Sequence, residues 1–160
     1  AVRAGATTEA CAGSLTGFTG LAHRMAFVAE VAGVRYVDDS KATTPHATLA
    51  ALAGLTGAVL IAGGRNKGLD LAPLAEGRPR AVVAIGEAAA AVVAVYEGRC
   101  PVVTAESMDE AVSLAHQLAD ENGIVLLSPG CSSFDWYGSY DERGRDFQRL
   151  VGALVGTVGR

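Results

Sequence analysis

Aromatic side chains are scarce in this 160-residue chain, at 6%, so any core must be assembled from Ala, Val, Leu and Ile. Cysteine is scarcer still. Cys11, Cys100 and Cys131 are odd in number, widely spaced and form no C-x-x-C pair, which argues against a disulfide framework or a zinc ribbon and fits a reducing cytoplasm. An excess of positive charge is also missing: 13 Lys and Arg against 17 Asp and Glu leave a net −4, unlike the basic surface of a general nucleic-acid binder. No basic stretch leads into an apolar segment at the start, so no signal peptide is expected. The longest uncharged run, between Lys41 and Arg65, is broken by Pro45, His46, Gly54, Gly57, Gly63 and Gly64. It reads as helix, turn and buried strand rather than as a membrane span. The chain begins at Ala1 rather than Met, and a piece of something longer is the expectation.

What is present is enough apolar material for a real core, at 50% of residues, and a length that suits one domain at roughly 150 residues per domain. Short Val/Ile/Leu runs predict strands over Met25–Val31, Val34–Asp38, Ala58–Ala62, Ala81–Ile85, Val102–Thr104 and Ile124–Ser128. Helices are expected at Thr7–Leu15, Thr44–Ala53, Glu87–Tyr96, Ser107–Ala119 and Asp141–Val155. Thr44-Pro45 is an N-cap and N1 pair, Ser107 with Glu110 is a capping box, and Ala111, Leu114, Ala115 and Leu118 recur on one helical face. Strands apolar on both faces and alternating with helices predict an α/β, Rossmann-like fold: a mostly parallel sheet with helices on both faces. The first two strands meet at Ala32-Gly33 and predict an antiparallel hairpin at the entrance.

In such sheets ligands bind beyond the carboxyl ends of the strands. Three loops follow strand ends: Asp38-Asp39-Ser40-Lys41-Ala42-Thr43, Gly63-Gly64-Arg65-Asn66-Lys67-Gly68 and Ser128-Pro129-Gly130-Cys131-Ser132-Ser133-Phe134-Asp135. Together they offer cations, hydroxyls and free N–H groups, which suit a carboxylate or a phosphate. The glycine-rich loop is neither G-x-x-x-x-G-K-[ST] nor G-x-G-x-x-G, and by itself it equally suits an ordinary turn. Asp38-Asp39 equally suits acidic capping of a helix N-terminus. No G-x-S-x-G accompanies Cys131 or its serines, and no histidine stands near Cys131 in a nucleophile pattern. Trp136, Tyr137 and Tyr140 by themselves suit packing, and His23-Arg24, taken alone, a surface pair.

In this order, with the run Arg143-Gly144-Arg145-Asp146-Phe147, the loops resemble the C-terminal domain of the Mur ligases, the ATP-dependent amino-acid-adding enzymes of peptidoglycan and cell-wall synthesis. The strings D-S-K-A-T and L-S-P-x-x-x-S-x-D carry the resemblance, which spans nearly the whole chain and is nearest to the D-glutamate-adding branch. The D-N-P-R signature of the diaminopimelate-adding branch is absent; Thr44-Pro45, Gly130 and Tyr140 stand where that family has other residues. The resemblance implies a division into residues 1–20, the tail of a preceding ATPase domain, and 21–160, an amino-acid-binding domain that is inactive alone. It implies Arg24, Asp39 and Lys41 at ATP, Lys41 being catalytic, and Thr43, Lys67, Ser133 and Tyr140 at D-glutamate. It also implies a magnesium ion held mainly by the central domain with no metal site in 1–160, UDP-MurNAc-L-alanine as co-substrate, a cytoplasmic monomer, and no nucleic acid or membrane partner. Two alternatives stay open: another Mur-type ligase domain resembling that of folylpolyglutamate synthase, or a stand-alone Rossmann-like binding module.

Overall fold

The computed structural model of the chain describes residues 5, 7 and 20–158. Apart from Thr7, the helix expected over Thr7–Leu15 lies outside the described residues. Six strands form one sheet: β1 (Ala26–Val31), β2 (Val34–Asp38), β3 (Ala58–Gly63), β4 (Ala81–Ile85), β5 (Val102–Ala105) and β6 (Ile124–Gly130), in the order β1-β2-β6-β3-β4-β5. Only the β1–β2 pair is antiparallel; every other neighbour is parallel. The hairpin turn places Ala32 at φ +49 and Gly33 at φ +80, the two left-handed residues that a tight hairpin turn matching strand twist requires.

Among the described residues four α-helices cover the sheet: α1 (Pro45–Ala53), α2 (Ala89–Tyr96), α3 (Met108–Leu118) and α4 (Tyr140–Val158). Alternation along the central strands divides the core in two. Val59, Ile61, Val83, Ile85, Val125 and Leu127 pack with residues of α3 and α4, among them Ala111 and Phe147. Leu60, Ala62, Val82, Ala84 and Leu126 pack with Leu52 of α1 and Val92 and Tyr96 of α2 on the other face. Helices on both faces follow directly. Among the described residues no helix is long and apolar enough to cross a membrane.

Several boundaries differ from expectation for local reasons. α2 begins at Ala89 rather than Glu87, because Glu87 N–H is turned to the Asp135 carboxylate (3.0 Å) and Ala88 N–H to the Gly64 carbonyl (2.9 Å). β1 begins at Ala26 because Met25 is left-handed, at φ +48. β6 continues to Gly130, whose N–H reaches the Ala42 carbonyl. A 3₁₀ turn at Ala72–Glu76, missed by periodicity because it is too short to show one, buries Leu74. In the capping box Ser107 Oγ accepts from Glu110 N–H, while the Glu110 carboxylate accepts from Glu106 N–H.

Candidate functional site

β2, β3 and β6 are adjacent and parallel, so their carboxyl ends meet at one edge, and the three polar loops leave from it. Asp38 ends β2 fully buried, and its Oδ1 accepts from Ser40 N–H at 2.9 Å. Asp39, also buried, accepts from Ser128 Oγ (2.8 Å) and Met25 N–H (3.2 Å). Burial outweighs both bonds and raises its carboxyl above the usual carboxylate value. Exposed Arg24 lies near enough to oppose that shift. Lys41 is half-buried; its Nζ donates to the Tyr140 hydroxyl at 3.0 Å and lies 4.8 Å from the ring centre. Thr43 is half-buried on the same loop, before the Thr44 cap of α1.

The other two loops are stitched together. Arg65 and Ser132 exchange backbone bonds of 2.9 and 3.1 Å, and the Arg65 guanidinium pairs with Glu87 at 2.7 Å. Gly64 fits because it has no side chain: at φ +124, a Cβ would lie 2.3 Å from the Ser132 carbonyl oxygen. Lys67 is exposed, with Nζ 4.6 Å from the ring centre of Phe134. Ser133 is buried beside it in sequence, and its carbonyl accepts from Tyr137 N–H at 2.8 Å. Cys131 is buried, and burial pushes its thiol up to about 11, as expected of an inert cysteine rather than a nucleophile.

Arg143, which sequence reasoning noticed only as part of a string, lies at the centre of the edge. It is 1% exposed and donates to Ser40 Oγ (3.0 Å), to the Ser40 carbonyl (2.9 Å) and to the Cys131 carbonyl (3.2 Å). Burial lowers it to about 10, so it stays a cation at neutral pH. Its helical spacing from apolar Phe147 would have signalled an inward position. His23 is buried, not a surface residue; Arg24 alone of that pair is exposed. Phe134, 49% exposed beside Lys67, gave no sequence signal. The edge thus brings Lys41 and Tyr140 into contact, sets Asp39 against Ser128, and carries Thr43, Lys67 and Ser133 on the same three loops. Among the described residues no three His, Cys, Asp or Glu side chains group as a candidate metal site.

A family profile described as "Mur ligase, glutamate ligase domain" matches residues 23–131. The UDP-N-acetylmuramoylalanine–D-glutamate ligase of Syntrophotalea carbinolica is 46% identical over 157 residues, covering 96% of this chain and 35% of that protein. The chain spans about a third of the length of the curated relatives it matches. Among solved structures, the UDP-N-acetylmuramate-alanine ligase MurC of Thermotoga maritima superposes with a TM-score of 0.67 at 14% identity, over 95% of this chain and 35% of that one. A bifunctional folylpolyglutamate synthase/dihydrofolate synthase of Yersinia pestis, complexed with AMPPNP and Mn, gives 0.55 at 22% identity, over 92% of this chain and 34% of that one. These two likenesses are of fold.

Proposed function

Because the chain belongs to the Mur ligases through their glutamate ligase domain, we propose that it is the amino-acid-binding, C-terminal part of an ATP-dependent ligase that joins D-glutamate to UDP-MurNAc-L-alanine. Residues 1–20 then form the tail of a preceding ATPase domain, and 21–160 the amino-acid domain. The observation that carries this reading is 46% identity with a D-glutamate ligase over an alignment covering 96% of the chain, rather than a match at isolated motifs.

The geometry of the edge supports it. In this reaction a carboxylate is phosphorylated by ATP; the amino group of D-glutamate attacks the acyl phosphate, an amide forms and phosphate leaves. Every participant is anionic, so the chain's contribution is positive charge and donors held in place before the substrates arrive. D-Glutamate carries two carboxylates; Lys67, the Thr43 and Ser133 hydroxyls and the Tyr140 turn are the groups assigned to them, as charge-assisted bonds are the stronger kind. Lys41 is assigned to the reacting phosphate. Its bond to Tyr140, one of the residues assigned here to D-glutamate, supports that assignment, since the group must act where the two substrates meet. Arg24 is assigned to the ATP phosphates and Asp39 to the ribose hydroxyls, since a carboxylate accepts from both hydroxyls.

The test is Lys67→Ala in the full-length ligase. Removing one charge-assisted contact of about 1.5–3 kcal/mol raises KM for D-glutamate roughly tenfold or more, with KM for ATP little changed. Unaltered glutamate kinetics would overturn the assignment.

A further inference from the structure

His23 is the buried member of the chain's three histidines, 5% exposed, with its backbone at φ +57, an uncommon conformation for a residue with a side chain. Both ring nitrogens meet carboxylates: Nδ1 lies 2.6 Å from Oδ2 of Asp38, and Nε2 lies 3.0 Å from Oδ1 of Asp141. Asp38 is fully buried at the end of β2; Asp141 is in the first turn of α4. Gln148, two turns further along α4, donates to the same Asp38 oxygen at 2.7 Å. The same Gln148 nitrogen lies 3.4 Å from Nδ1, and the ring is also flanked by the Tyr140 ring, edge-on at 6.4 Å, and by Arg145, paired with the other Asp141 oxygen. A carboxylate only accepts, and a neutral imidazole donates once. Both short contacts are therefore satisfied together when the ring carries both protons.

The backbone around the ring repeats the connection. Lys41 N–H donates to the His23 carbonyl (3.0 Å), Met25 N–H donates to Asp39, and Ser40 Oγ donates to the Tyr140 carbonyl (2.7 Å). Room for the ring is made by Gly144, where a Cβ would lie 2.1 Å from Nδ1. A glycine inside a helix is unfavourable relative to alanine, so the bare position is explained by the ring that fills it.

We infer that His23 is a positioning residue: a doubly protonated imidazolium that joins segment 23–25, loop 38–41 and the first turns of α4 into one rigid body, and so fixes the Lys41–Tyr140 pair without touching substrate. The positioning role rests on the ligase reading; the charged cross-link does not.

Two measurements separate them. Nitrogen-15 NMR of the imidazole rings in this chain, assigned with His23→Gln, should show protons on both nitrogens of His23 at neutral pH. A ring with a single proton overturns the cross-link. In the full-length ligase, Asp141→Asn removes one acceptor charge at a partly exposed site, and Gly144→Ala displaces the ring while favouring the helix. Both should lower kcat about tenfold to a hundredfold, as small misplacements of reacting groups do, with the unfolding temperature of Gly144→Ala not raised as helix propensity alone would raise it. Full kcat in both variants, with the doubly protonated ring observed in the wild type, overturns the positioning role. If the doubly protonated ring is observed but the full-length wild-type protein makes no ADP from ATP with UDP-MurNAc-L-alanine and D-glutamate, the ligase reading is refuted and the cross-link stands.

Discussion

At the scale of single residues, the edge is governed by buried charge. Arg143 satisfies two carbonyls and a hydroxyl that would otherwise face one another without donors. Arg143→Leu leaves these buried acceptors unpaired, at about 1–3 kcal/mol each, and should destabilise the chain by about 3 kcal/mol or more in urea unfolding. Arg143→Lys, which keeps the charge but loses the fork geometry, should fall between. Asp39 sets a pH dependence. Burial raises its carboxyl, so the folded chain holds that proton to higher pH than the unfolded chain does. The contribution of this group to stability therefore declines as pH rises from the ordinary carboxylate value through the raised one. In Asp39→Asn that decline should be missing, so wild type minus variant stability, followed by urea unfolding across the acid range, should fall as pH increases. A difference that grows with pH would contradict the desolvation account.

At the scale of elements, strands and helices were readable because periodicity and capping are local. Thr44-Pro45 begins α1 and Ser107 begins α3 where those residue types predict. What was not readable was anything set by a loop's partner. The start of α2 depends on Asp135, 48 positions away from Glu87, and the extension of β6 depends on Ala42. Two glycines near the ends of β3 show the same dependence. Gly57 and Gly64 both have positive φ, +75 and +124, but a Cβ on Gly57 meets nothing within 4 Å whereas one on Gly64 meets the Ser132 carbonyl at 2.3 Å. Gly57→Ala should cost about 1–2 kcal/mol, the penalty of a left-handed side chain. Gly64→Ala adds overpacking and should cost about 3 kcal/mol or more. Equal costs by thermal unfolding would show that the loops are less tightly joined than their bonds indicate.

At the scale of the whole molecule, one sheet with two cores presents three loops at a single edge. The chain should unfold cooperatively by itself, because both faces of its sheet are covered and the central strands are fully buried. Under the proposed function it should not turn over: with ATP, UDP-MurNAc-L-alanine and D-glutamate, residues 1–160 alone should release no ADP above background. Steady ADP release would assign the whole reaction to this chain and overturn the division of labour.

Sequence alone predicted the six strands and four α-helices of the described residues, the entrance hairpin and the three loops, because alternation, capping and turn chemistry act between near neighbours. It also carried the family, since the motif order survives without any coordinates. Tertiary structure decided which polar residues are buried and what they hold. His23 and Arg143 are ionisable residues that composition places at the surface, yet they lie inside the edge, paired with groups from 15 to 125 positions away for His23 and 12 to 103 for Arg143. The physical reason is that a buried charge is tolerated only where its partners converge, and that convergence is a property of the folded chain.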